Sequence, residues 1–178
     1  ACEAEYANPA NRRFHAQPTA CPDCGPQLEY NEPGRARSVR AEAALREAAA
    51  VLRRGGIVAV KGLGGYHLAC RAHDPDAVER LRRAKTREHK PFAIMARDTK
   101  QARSFCRVSP AEQRFLEDHT RPILLLDKDP DVPHALPRAV APRGRAHGVM
   151  LPYTPLHHLL LHEMRGPLVM TSANRRDE

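Results

Sequence analysis

Five short apolar runs constrain this chain most. They are Ile57-Val58-Ala59-Val60, Phe92 to Ala96, Pro122-Ile123-Leu124-Leu125-Leu126, Val149 to Leu151 and Pro167-Leu168-Val169-Met170. Fully apolar runs of this length read as strands buried on both faces. Tyr66 to Cys70 reads as a further extended piece. Helical patterns lie between them. Ser38 is placed to cap a helix reaching about Arg54, with Ala41, Ala44, Leu45, Ala48, Val51 and Leu52 on its inner side, and Gly55-Gly56 ends it. Asp74-Pro75 opens a second helix that buries Val78 and Leu81. Thr99 to Cys106 looks helical, Ser109-Pro110-Ala111-Glu112 is a capping box, and Thr154-Pro155 starts a helix through about Met164. Residues 127–148, rich in Pro, Arg and Gly, read as a long irregular connection. Strands alternating with helices predict an α/β domain over 36–178, its sheet covered on both faces.

Residues 1–35 differ in kind. They hold Cys2, Cys21 and Cys24, five prolines and almost no apolar periodicity, so they need a staple to fold. Cys21-Pro22-Asp23-Cys24-Gly25 is half of a zinc knuckle, its glycine leaving backbone amides free to reach the sulfurs. Eighteen residues separate Cys2 from Cys21, the spacing of a zinc ribbon with one cysteine missing. That cysteine would lie two positions before Ala1, so the chain is expected to start inside the motif; His15 is the local alternative as fourth ligand, and a metal-free or redox C-x-x-C is the remaining reading, against which Gly25-Pro26 follows where a redox pair would open a helix. Glu32-Pro33-Gly34-Arg35 reads as a linker. Cys70 and Cys106, set in apolar segments, are expected in the core. Five cysteines cannot all pair within one chain, and the cytosol is the expected compartment.

Charge narrows the partners. The chain of 178 residues carries 29 Lys and Arg against 21 Asp and Glu, a net charge of +8, which favours nucleotides, phosphorylated metabolites or RNA. No apolar run approaches the roughly 18 residues needed to cross a membrane. Six of the cations, Arg80, Arg82, Arg83, Lys85, Arg87 and Lys90, fall within eleven residues at the end of a helix and just before a strand. An arginine fork beside lysine point charges suits an oxyanion or polyphosphate; a solvated helix end favoured by the helix dipole is the plainer explanation. Two further loops flank strands: Lys61-Gly62-Leu63-Gly64-Gly65-Tyr66-His67-Leu68, which lacks the ending of a P-loop, and Thr171-Ser172-Ala173-Asn174. All three are expected as strand exits facing one pocket. His158 and His162 share a helix face at metal-ligand spacing, although the surrounding leucines favour a half-buried structural helix.

Asn8 to Pro18 followed by Cys21-Pro22-Asp23-Cys24-Gly25-Pro26 resembles the second zinc-finger half of the hydrogenase-maturation carbamoyltransferases, the HypF family. Lys61 to Leu68, Lys85-Thr86-Arg87-Glu88-His89-Lys90-Pro91, Val149 to His158 and Thr171 to Asn174 resemble that family's YrdC-like domain, a module shared with tRNA-modifying relatives. The resemblance implies a twisted, mostly mixed sheet with helices on both faces behind a small zinc-ribbon segment. It implies structural Zn²⁺ on Cys2, Cys21 and Cys24. It implies formation of carbamoyl-adenylate from ATP, with Mg²⁺, and carbamate derived from carbamoyl phosphate. The carbamoyl group would pass to the C-terminal cysteine of the partner protein HypE. It further implies that only the second finger half and most of the YrdC-like module are present here. Lys85 and Arg87 would act on the ATP phosphates with Lys90 in support, Ser172 and Asn174 would bind nucleotide, and Lys61, Tyr66 and His67 would line the small-substrate side. The competing readings are a threonylcarbamoyl-AMP synthase for tRNA modification, which usually lacks the zinc head, and an RNA-binding module without catalysis, for which stacking aromatics are few.

Overall fold

Asparagine side chains, rather than apolar packing, shape the first part of the chain. The computed structural model describes residues 2–34, 38–129, 131–132 and 135–174; Arg35, the end of the expected linker, lies outside them. The chain divides into two units, Ala1–Leu45 and Arg46–Glu178. In the first, helix α1 (Cys2–Ala7) buries no residue. Asn8 and Asn11 accept hydrogen bonds from the backbone N–H groups of Ala10 and Arg13 at 3.0 and 2.9 Å, bending the chain by side-chain turns. Strands β1 (Glu29–Tyr30) and β2 (Val39–Arg40) pair antiparallel. Helix α2 (Ala41–Arg53) starts in this unit and ends in the next. Ser38 was expected to cap α2, but it precedes β2, and the chain turns into the helix at Ala41 with φ 53°.

The second unit contains β3 (Val58–Lys61), β4 (Tyr66–Arg71), α3 (Pro75–Ala84), β5 (Ala93–Met95), α4 (Thr99–Ala102), α5 (Pro110–Glu117), β6 (Leu124–Asp127), β7 (Ala146–Met150), α6 (Pro155–Met164) and β8 (Leu168–Ser172). The expected caps form. Asp74 accepts from Ala77 N–H at 2.9 Å, Ser109 and Glu112 close a reciprocal box, and Thr154 caps α6. Helix α4 is shorter than the expected 99–106. Past Ala102 the chain is drawn to the sheet edge, where Cys106 bridges Lys128 and Arg107 N–H donates to Asp127 at 2.9 Å. Strand β7 takes the last three residues of the segment read as irregular.

The six strands lie in the order β3-β4-β8-β5-β7-β6, and only β5 and β7 run parallel. The mixed sheet is as expected. Its coverage is not uniform: Leu168 to Thr171 of β8 are all buried, whereas β3 alternates buried and exposed residues and Leu125 of β6 is 77% exposed. The centre is covered on both faces and the edges on one. On one face Cys70, Ile94, Val149 and Val169 pack with Val78 and Leu81 of α3, and with Phe105, Leu116 and Leu126. The alternate residues Ala69, Met95, Met150, Leu168 and Met170 are buried on the other face. There α6 buries His157, Leu160 and Leu161, and Arg53 of α2 donates to the Glu163 carbonyl at 2.6 Å.

Register decides what meets at the sheet's end. Ala93 lies opposite both Met170 and Gly148, His67 opposite Ser172, and Lys61 opposite Tyr66. The end of β3, the start of β4, the end of β8 and the starts of β5 and β7 therefore share one rim.

Candidate functional site

The basic elbow is built by the way α3 stops. Lys85 is its C-cap, Thr86 follows with φ 49°, Thr86 N–H donates to Arg83 at 3.0 Å and Arg87 N–H to Arg82 at 3.1 Å. This is a Schellman ending with threonine where glycine is usual. A β-branched residue with positive φ is a strained placement. It throws Lys85 and Arg87 toward the end of β8.

Lys85 is 8% exposed, and its ammonium donates to the carbonyls of Ser172 and Asn174 at 2.8 and 2.7 Å and to Asn174 Oδ1 at 3.2 Å. Ser172 Oγ donates to the same Oδ1 at 2.6 Å. Arg87 donates from Nη1 to Thr171 Oγ1 at 3.0 Å and from Nη2 to the Pro91 carbonyl at 2.7 Å, with its guanidinium 5.0 Å from the Phe92 ring centre. Four of the predicted residues, Lys85, Arg87, Ser172 and Asn174, are thus gathered, and Thr171 joins them. Lys90 is exposed, three residues further on. The elbow proves to be a strand entry and not an exit: it leads into β5. It meets the end of β8 because those two strands are antiparallel.

The three residues expected on the small-substrate side do not share a face. Lys61 and Tyr66 lie opposite each other with the lysine ammonium 5.0 Å from the ring centre, on the face that carries Thr171. His67 points to the other face, where Tyr153 Oη is 3.4 Å from its Nδ1 and the His157 ring 6.1 Å away. The glycine loop is a tight hairpin turn. Gly62 N–H donates to Gly65 at 2.7 Å, and a Cβ on Gly62 would lie 3.1 Å from the His67 ring. Burial lowers the pKa of His67 and pushes His157 down to about 4, with the charges of His67 and His158 adding to the latter shift. Burial raises Tyr153. His157 is fully buried, whereas His158 and His162 are exposed, as a half-buried structural helix requires.

Sequence reading missed Arg82. Its position beside Leu81, on the inner side of α3, was the available signal. Only 7% exposed, it donates from Nε to Ala139 at 3.0 Å, and from Nη1 to the carbonyls of Arg87 at 2.6 Å and Lys90 at 3.2 Å. Arg80 donates to the Gly55 carbonyl behind α2. The cation run is therefore part structure and part site.

In the first unit the sulfurs of Cys2, Cys21 and Cys24 lie within 4.8 Å of one another, with Cys24 3.0 Å from Cys2 and 3.6 Å from Cys21. Thiolates around one zinc at ~2.3 Å stand about 3.8 Å apart, so a small outward shift suits the metal. The Cys24 and Asp23 backbone amides, in that order, lower the Cys21 thiol to about 7, toward the ligating thiolate form. Gly25 is required by crowding, since a Cβ there would lie 2.8 Å from the Cys21 carbonyl. Its N–H goes to that carbonyl at 2.8 Å and not to a sulfur; Cys21 N–H faces Cys24 Sγ at 3.5 Å instead. His15 stacks on Phe14 and Tyr6 and is not among the clustered ligands. Cys70 and Cys106 are core residues, their thiols pushed up to about 12 by burial.

A strained, cation-bearing elbow against a hydroxyl-lined strand end, on a six-stranded mixed sheet, defines a class. Residues 50–178 match the Sua5_yciO_yrdC family model, described as "Telomere recombination", and the chain belongs to that family. Residues 1–33 match the HypF finger. Over 174 residues the chain is 54% identical to the carbamoyltransferase HypF of Rhodobacter capsulatus, covering 98% of this chain and 22% of that protein. A crystal structure of full-length HypF in the phosphate- and nucleotide-bound form superposes with TM-score 0.84 at 45% identity, covering 99% of this chain and 22% of that one. The Sua5 of P. abyssi complexed with L-threonine follows at TM-score 0.67 and 27% identity, covering 75% of this chain and 39% of that one. The chain thus spans about a fifth of the HypF relatives it matches. No helix among the described residues is long and apolar enough to cross a membrane.

Proposed function

We propose that residues 36–178 form the adenylating module of a hydrogenase-maturation carbamoyltransferase and that residues 1–35 form a zinc-stapled finger segment and linker. The observation that carries this reading is the joining of Lys85 and Arg87 to Thr171, Ser172 and Asn174 at one rim of the sheet. A carbamate oxygen attacks the α-phosphorus of ATP, the bond from that phosphorus to the bridging oxygen breaks, and pyrophosphate leaves with the electron pair. Negative charge grows on the phosphate oxygens, and cations held in place beforehand stabilise it without reorganising. Arg87, braced by Thr171 and Pro91, presents its fork to the α-phosphate. Lys85 holds the Ser172–Asn174 turn in shape, so that Ser172 and Asn174 meet the nucleotide while Lys90 adds charge from the exposed side. Lys61 and Tyr66 line the carbamate side on the face that carries Thr171; His67, on the opposite face with Ser172, supports the rim through Tyr153. Mg²⁺ accompanying ATP would neutralise part of the phosphate charge. The C-terminal cysteine thiol of HypE then attacks the carbamoyl carbon, the bond from that carbon to the phosphate oxygen breaks, and AMP leaves as the thiol gives up its proton. One zinc on Cys2, Cys21 and Cys24 would order the finger segment.

The test is carbamate-dependent exchange of pyrophosphate into ATP by the enzyme containing this module. Arg87→Ala should lower the rate by roughly 30- to 1,000-fold, in line with loss of ~2–4 kcal/mol from a fixed oxyanion donor. Unchanged exchange would sink the assignment. Product analysis with threonine and bicarbonate separates the Sua5-like alternative, which predicts threonylcarbamoyl-AMP.

A further inference from the structure

A cleft of about 780 Å³ opens beside the elbow and is lined by Arg83, Arg87, Arg138 and Arg143, with Arg82 at its base. Of the residues assigned to the reaction only Arg87 reaches it; Lys85, Ser172 and Asn174 lie elsewhere on the rim. Among the described residues the cleft holds five guanidinium groups against the carboxylates of Glu79 and Glu88. Its two walls are the elbow and the arc from Arg138 to Arg143, and Arg82 ties them together. The buried guanidinium donates to Ala139 on one wall and to Arg87 and Lys90 on the other, and stacks 4.6 Å from the Phe92 ring centre. Its donors engaged in this way, Arg82 sets the width of the cleft. Arg83, Arg138 and Arg143 are exposed and supply the charge. Planar guanidinium forks on opposing walls match a ligand with several phosphate groups better than a single carboxylate.

We propose that this cleft seats the β- and γ-phosphates of the nucleotide, and then the departing pyrophosphate, with Arg83, Arg138 and Arg143 as their ligands. The proposal rests on the adenylation reading. It makes Arg87 the boundary residue, reaching the α-phosphate from the rim and the β-phosphate from the cleft, so that charge moving onto the leaving group stays among fixed cations.

Calorimetric titration of the 178-residue chain with magnesium pyrophosphate and, separately, with AMP tests it. Arg138→Ala/Arg143→Ala should weaken pyrophosphate at least tenfold and leave AMP within about twofold, and Arg138→Lys/Arg143→Lys should restore part of the loss. An unchanged urea midpoint checks that these surface substitutions leave the fold alone. Pyrophosphate affinity that survives the double alanine change overturns the proposal. So does an equal loss of AMP, or a loss confined to a single-stranded RNA oligomer, which would make the cleft an RNA groove. Wild-type chain that binds pyrophosphate through these arginines but neither AMP nor ATP would keep the anion site and refute the adenylation reading.

Discussion

The two units of this chain are held together by opposite means. In the second, Ile94, Val149, Val169 and Leu81 are fully out of solvent, and burial of apolar surface at about 25 cal/mol per Å² carries the fold. In residues 2–28 of the first, α1 buries nothing, Tyr6 and Phe14 are each 41% exposed, and the side-chain contacts include Asx turns, a surface Glu5–Arg13 ion pair at 2.7 Å and three converging thiols. A surface ion pair contributes little, so the thiols and what they bind must hold the segment. One chain thus shows that order can come from a core or from a staple, and each should fail under a different insult.

The largest expected effect is on the first unit. Chelation at neutral pH, or Cys24→Ser, should remove one zinc per chain and erase the amide dispersion of residues 2–34 in NMR spectra. The resonances of β3 to β8 should stay in place. Retained dispersion without metal would break the comparison. Next, Ile94→Ala should cost the second unit about 3–4 kcal/mol, read from urea unfolding, with zinc content unaltered.

Acid should also act on the second unit. Burial lowers both His147 and His157 to about 4, with Lys128 adding to the shift of His147. The unfolded chain protonates these rings near pH 6.5, and the folded chain does so only near pH 4. Their stabilising contribution is therefore complete above about pH 6.5 and is lost as pH falls toward 4. Each contributes at most about 3 kcal/mol across that window. His147→Gln should flatten the fall in urea midpoint between pH 7 and pH 4.5; an unchanged slope would remove His147 from the account. The smallest effect is expected at the elbow. Thr86→Gly relieves a side chain from positive φ and should shift stability by less than about 1 kcal/mol, while pyrophosphate exchange slows as the elbow loosens.

How much of this was legible in the sequence depends on range. Asp74-Pro75, Ser109 to Glu112 and Thr154-Pro155 announce helix starts because a cap is made by residues two or three positions apart. Ser38 misled because the same residue type also precedes a strand, and the pairing of Val39 with Tyr30 outweighed its capping potential. The cysteine spacing pointed to the three thiols that cluster. That His67 faces away from Lys61 and Tyr66 follows from the two-residue alternation of β4, which sends adjacent side chains to opposite faces.

By itself the sequence determined the local choices: where strands run, where helices begin, which residues carry charge and which sulfurs are close along the chain. These depend on neighbours a few residues away. Only the tertiary structure decided that the end of β8 lies against the entry to β5. Antiparallel pairing between segments about 75 residues apart brings Lys85 and Arg87 to Thr171 and Asn174. It also decided that Arg82, one cation among six, is buried as a tie between two walls. Local sequence does not record which carbonyls will surround a side chain once distant strands have closed.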